Sequence, residues 1–188
     1  MRIAAGKERS VGEVIALHER RRHMRARRAF SLWERHLGRL FDERTAIRDL
    51  PDAVLAVLIQ PGEQCTRLLQ SLVVKILVGE EATDLEKLSP SRKIQAIDLS
   101  LFLMDQIRFE CMRRLGWVEA DPRAEVPIVD LLDQLATGQL SGAQTTPAIL
   151  ADHPLYAEYE KTYVGDRATF VRKLIPRAIE EFARRNKT

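Results

Sequence analysis

Apolar side chains recur at every third or fourth position along most of this chain, and that spacing constrains its fold more than any other feature. A helix turns about 100° per residue, so such spacing gathers the apolar groups on one face, whereas a strand needs strict alternation. Cys65, Leu68, Leu69, Leu72, Val73, Ile76 and Leu77 form the cleanest stripe, and Gly79 follows as a helix stop. No segment carries a convincing strand pattern. The chain is therefore expected to be all-α.

The same periodicity predicts the individual elements. Ser10-Val11-Gly12-Glu13 has the form of a capping box and opens a long helix ending near Glu43. Val11, Ile15, Ala26, Ala29, Phe30, Trp33, Leu37, Leu40 and Phe41 share its apolar face. The stripe is thin from His18 to Arg28, so the first half is expected to project from the core. Leu50-Pro51-Asp52 starts a short helix through Ala53 to Gln60, broken by Pro61-Gly62. Ser89-Pro90 starts another that Gly116 stops; it is apolar on nearly every side. Ile94, Ile97, Leu101, Phe102, Phe109 and Met112 lie on one face, and Leu99, Leu103 and Ile107 on another. A helix greasy all round belongs in the middle of a bundle, which makes 90–115 the expected central helix. Shorter helices are predicted over 127–136, after Thr146-Pro147, and from His153-Pro154 to Tyr163. The last follows Gly165-Asp166 and is expected to kink at Pro176. The sum is an irregular bundle of about six to eight helices around the central one. It divides into a basic N-terminal helix, residues 1–44, and a bundle core, residues 45–188, within one domain.

Composition excludes several classes. The chain has 188 residues, 45% of them hydrophobic and 30% charged, enough to fold around a real core and against wholesale disorder. Its opening residues lack the apolar run of a signal peptide. No stretch approaches the ~20 apolar residues of a membrane span. Cys65 and Cys111 lie apart in helical patterns, as reduced buried thiols would in a cytoplasmic protein. The net charge of +3 conceals segregation: residues 1–48 hold 13 Lys/Arg against 6 Asp/Glu, 49–166 hold 10 against 19, and 167–188 hold 7 against 2. Basic ends flank an acidic middle, so either the ends fold against the middle or they meet an anionic partner.

Few constellations could carry chemistry. Arg20, Arg21, Arg22, Arg25, Arg27 and Arg28 crowd the first helix beside His18 and His23. Arg20, Arg21, Arg22, Arg25 and Arg28 are the candidates for contacting an anion or a nucleic-acid backbone, unless intrachain carboxylates neutralise them. His18 and His23 are five residues apart, about 140° around a helix, which is wrong for sharing a metal. No metal and no cofactor is expected. Asp98 and Asp105 project at nearly the same angle within an apolar face of the central helix, with Arg108 as a natural partner. They would form either a polar core network or a pocket between helices. Tyr156, Tyr159 and Tyr163 lie along one side of their helix and would suit an interface or the core edge. No nucleophile motif, phosphate loop or Cys–His spacing is present, so catalysis is not expected. The leading expectation is a non-catalytic interaction or scaffold protein that self-associates. The seam would use Ile15, Ala26, Trp33, Leu37, Leu40 and Phe41 of the first helix. A nucleic-acid accessory protein using the arginine helix is the runner-up, and a small-molecule-binding bundle with Asp98 and Asp105 in a pocket comes third.

Overall fold

The computed structural model describes residues 11–78, 85–140 and 146–186, with side chains of the first helix described from Arg20 onward. Every described helix follows the apolar periodicity, and no strand occurs among the described residues. Two isolated bridges, Ala46 with Pro127 and Val118 with Ile149, merely tie loops together. The order is α1 (Val11–Leu37), α2 (Asp52–Leu58), α3 (Glu63–Val78), α4 (Pro90–Arg114), α5 (Ile128–Ala136), a three-residue turn α6 (Tyr156–Glu158) and α7 (Arg167–Arg185). The all-α, multi-helix architecture is that expected. The expected caps Ser10 and Gly79 lie outside the described residues.

α4 is the hub: α2, α3, α5 and α7 all pack on it, and α1 reaches the bundle through α3. Its inner line of Ala96, Leu99, Leu103 and Ile107 is buried, and toward the C-terminus Phe109, Glu110, Cys111 and Met112 are buried almost all round. Glu110 escapes the cost of a lone buried charge by accepting hydrogen bonds from Arg113 Nη2 at 2.6 Å and Arg114 Nε at 2.8 Å. Arg114 reaches on to Asp52 and to the Arg48 carbonyl, at 2.8 Å for the latter, fixing the start of α2 against the end of α4. Gly116 (φ 75°) then turns the chain away.

α1 ends earlier than the stripe implies. Its last residue is Leu37, not a position near Glu43, because Gly38 takes a left-handed conformation (φ 62°) with its N–H on the Glu34 carbonyl at 3.0 Å. Leu40 and Phe41 are loop residues. Phe41 folds back to join Phe30 and Trp33, with ring centroids 5.4–5.7 Å apart, while Leu40 is 84% exposed. Trp33 is fully buried and donates its indole N–H to the Leu68 carbonyl of α3 at 2.9 Å. Arg25 meets the Ile76 carbonyl at 3.0 Å, so α1 and α3 run antiparallel.

These contacts correct the proposed seam. Ala26, Trp33 and Phe41 are spent in the chain's own core, Leu37 is half-buried, and Leu40 stands alone in the loop. The side chain of Ile15 lies outside the described residues. The three buried members of that stripe are covered by the monomer itself.

α7 begins at the Asp166 cap, whose carboxylate accepts the Thr169 N–H at 3.1 Å. It runs unbroken past Pro176, which is exposed and lies among the turns facing solvent. Before it, the expected helix to Tyr163 is a single α turn followed by a π turn over Tyr159–Tyr163. Tyr159 and Tyr163 pack on Phe170 at centroid distances of 5.5 and 5.0 Å, at the core edge.

Trp33→Ala should lower the unfolding free energy by about 3–5 kcal/mol, the usual cost of emptying a large buried aromatic site. A urea titration reads this as a fall in midpoint at constant slope. An unchanged midpoint would mean that α1 does not belong to the core.

Candidate functional site

The arginine-rich part of α1 meets the acidic middle of its own chain. Arg22 pairs with Asp130 and Arg25 with Asp133 at 2.8 Å, both acids on α5. Burial pushes the Asp130 carboxyl above its ordinary range, and the Arg22 charge pulls it back down. His23 lies 2.8 Å from Glu43, whose titration is lowered by a backbone hydrogen bond first and by His23 second. Arg20, Arg21 and Arg28 are exposed. The five candidate arginines therefore do not form one patch: two are turned into the bundle and three face water.

Metal chemistry has no foothold among the described residues, where no three His, Cys, Asp or Glu side chains converge. Cys65 and Cys111 are buried free thiols. Burial raises both titrations, that of Cys111 to about 12, so neither is a ready nucleophile. The buried His153 packs edge-on to Trp117 at 5.1 Å and accepts the Leu155 N–H at 3.1 Å; burial, then Arg177, lowers its titration. Its role is to hold a turn.

An opening runs along α4. A groove of about 720 Å³ lies between the Ser91–Asp105 part of α4, the end of α5 and Arg172 of α7. Its walls include Ile94, Leu101, Phe102, Leu135 and Leu140, and both Asp98 and Asp105 line it. The two aspartates share the groove because seven residues bring a helix back to within about 20° of its starting angle. Their environments differ. Asp98 is exposed, whereas Asp105 is half-buried, with Arg108 at 3.7 Å and Arg172 at 4.0 Å. Burial raises the Asp105 titration, and Arg108 followed by Arg172 oppose the rise. The Arg108 Nε is buried with no partner, so Arg108 holds Asp105 through charge rather than a full hydrogen-bonded fork. A cavity lined by both carboxylates replaces the alternative of a filled polar core.

Beside the groove, α4 exposes a line of large aliphatic residues. Ile94 is 63% exposed, Ile97 42% and Leu101 50%, at spacings i, i+3 and i+7. The expectation that α4 is covered on every side holds only for its second half. Along the first half its neighbours cover one side, and the opposite line faces solvent. Periodicity placed these residues on one face correctly but could not reveal that no helix lies over it. The described groove walls join aliphatic and aromatic side chains to two carboxylates, Asp98 and Asp105, and two guanidinium groups, Arg92 and Arg172.

Because Arg172 holds the Asp105 titration down, Arg172→Gln should move it further up, as a carbon-detected NMR titration of the carboxyl would show. No movement, or a fall, would mean that the two groups do not interact in solution. No protein family model, curated protein or solved structure matches this chain.

Proposed function

We propose that this protein is a non-catalytic helical interaction protein that self-associates through the exposed line of α4. The observation carrying this reading is the exposure of Ile94, Ile97 and Leu101 at heptad-like spacing on the helix that organises the bundle. An antiparallel pairing of two α4 helices about a point between Ile97 and Asp98 sets Ile94 of each copy opposite Leu101 of the other. The same arrangement brings Asp105 beside the other copy's α4 N-terminus, whose unpaired N–H groups favour a negative charge. Each of these side chains is already about half buried, so covering its remainder contributes roughly half of the 1.5–3 kcal/mol of full burial. Association costs at least 4 kcal/mol in lost freedom, so three such residues per copy support a weak dimer, with a Kd on the order of 100 µM. The free buried thiols and the lack of a membrane-spanning helix among the described residues fit a cytoplasmic setting.

A second reading draws on a different observation. The groove beside this line joins aliphatic walls to Asp98 and Asp105, which would suit a small apolar ligand carrying a cation. The nucleic-acid reading has lost ground, because Asp130 and Asp133 already occupy Arg22 and Arg25.

Sedimentation velocity between about 1 and 200 µM should show a reversible monomer–dimer equilibrium. Leu101→Asp should abolish it while changing stability by no more than about 0.5 kcal/mol, because the side chain is half exposed and outside the core. A monomer throughout that range, or a variant that dimerises like the parent, would refute the proposal.

A further inference from the structure

A second opening, on the opposite side of α3 from the α4 groove, has the chemistry of an anion site. It lies between α1 and α3, has a volume of about 410 Å³, and is closed at one end by Leu85. Two polar stripes build it. On α3, Arg67, Gln70, Ser71, Val74 and Lys75 follow one another at helical spacing along one face; Leu32 and Arg35 line it from α1. Because α1 and α3 run antiparallel, Arg35 near the end of one helix comes beside Arg67 near the start of the other.

The cations in this cleft have no acid beside them among the described residues. Lys75 Nζ donates to Ser31 Oγ at 2.6 Å, and Arg35 Nε to the Ser31 carbonyl at 3.3 Å, so both charges gather around one serine. No carboxylate lines the cleft among the described residues. Glu63, one turn before Arg67, makes no ion pair with it among them. Elsewhere, several cations that face a neighbouring element find an acid there: Arg22 with Asp130, Arg48 with Glu125, Arg114 with Asp52, Lys173 with Glu158. Burial, followed by repulsion from Arg35, pushes the Lys75 titration down, so the cleft disfavours the charge it holds. An arriving anion would relieve that repulsion. The Ser71 hydroxyl and Gln70 amide make no hydrogen bond to any other described side chain and add neutral donors. The apolar floor of Leu32, Val74 and Leu85 strengthens any ionic contact above it.

We propose that this cleft binds the phosphoryl group of a small phosphorylated molecule, held by Arg35, Arg67 and Lys75, with Ser71 and Gln70 completing the shell. Three donors converging from two helices suit a compact polyoxyanion, and a cleft of limited volume suits a small molecule rather than a polymer backbone, which needs cations continuing along an open surface. The site is independent of the α4 surface and of the self-association reading.

Isothermal titration of the full chain tests this with three probes: inorganic phosphate, pyrophosphate and adenosine monophosphate. Pyrophosphate or the nucleotide should bind more tightly than phosphate. Arg67→Gln and Lys75→Met should each weaken binding about tenfold, the scale of one charge-assisted contact, and Arg21→Gln should leave it unchanged. Amide shifts in a ¹⁵N–¹H spectrum should localise to 67–75, and the same spectrum verifies that each variant is folded. The proposal is overturned if no probe binds by about 10 mM, well above the millimolar limit of weak specific sites. It is equally overturned if Arg21→Gln weakens binding as much as Arg67→Gln, or if a single-stranded oligonucleotide binds tightly and ignores both cleft variants.

Discussion

The desolvation of α4 is the constraint on which the rest of the molecule depends. A helix carrying apolar residues on almost every side cannot exist in water without neighbours. α2, α3, α5 and α7 are arranged as a partial sleeve around it, with α1 added outside α3. The sleeve is complete where Phe109, Glu110, Cys111 and Met112 lie and open where Ile94, Ile97 and Leu101 lie. The carboxylate of Glu110, neutralised by two arginines of the next turn, marks the closed end. The open end is where the chain keeps apolar surface that its own fold does not use. Isolated exposed leucines are ordinary, but an aliphatic line beside a groove on the central helix is the arrangement associated with docking.

Charge segregation follows from the same architecture. The basic first helix packs on α3 and reaches α5, so its inward arginines meet Asp130 and Asp133 and its outward ones face solvent. One side of α1 is thereby tied to α5 by ion pairs. The cleft between α1 and α3 gathers Arg35, Arg67 and Lys75 with no lining carboxylate among the described residues, although the whole chain carries a net charge of only +3.

The helices were legible in the sequence because burial imposes period on side chains, and α3 and α4 carry that period with little noise. The projection of Asp98 and Asp105 onto a common line was also legible, since it depends only on helix geometry. The end of α1 was misplaced because Leu40 and Phe41 fit the projected stripe by angle, although Gly38 carried the stop signal. Ala26, Trp33 and Phe41 of the expected seam lie in the chain's own core, which the sequence did not show: periodicity identifies residues that share a face but not the element covering them. Trp33 and Leu101 look alike by spacing; one is buried against α3 and the other is half exposed. The Arg35, Arg67 and Lys75 cleft had no local signature, because Arg35 lies on a different helix from Arg67 and Lys75 and meets them only through antiparallel packing.

The central claim, that the first half of α4 presents an apolar face which a second copy covers, is tested most directly by methyl NMR with a soluble paramagnetic probe. The account predicts strong broadening of the Ile94, Ile97 and Leu101 methyl signals in dilute protein, and protection of those same methyls as concentration rises, while the buried Leu99 and Leu103 stay protected throughout. Methyls of Ile94, Ile97 and Leu101 that are shielded in dilute solution, or equally exposed at every concentration, would contradict it.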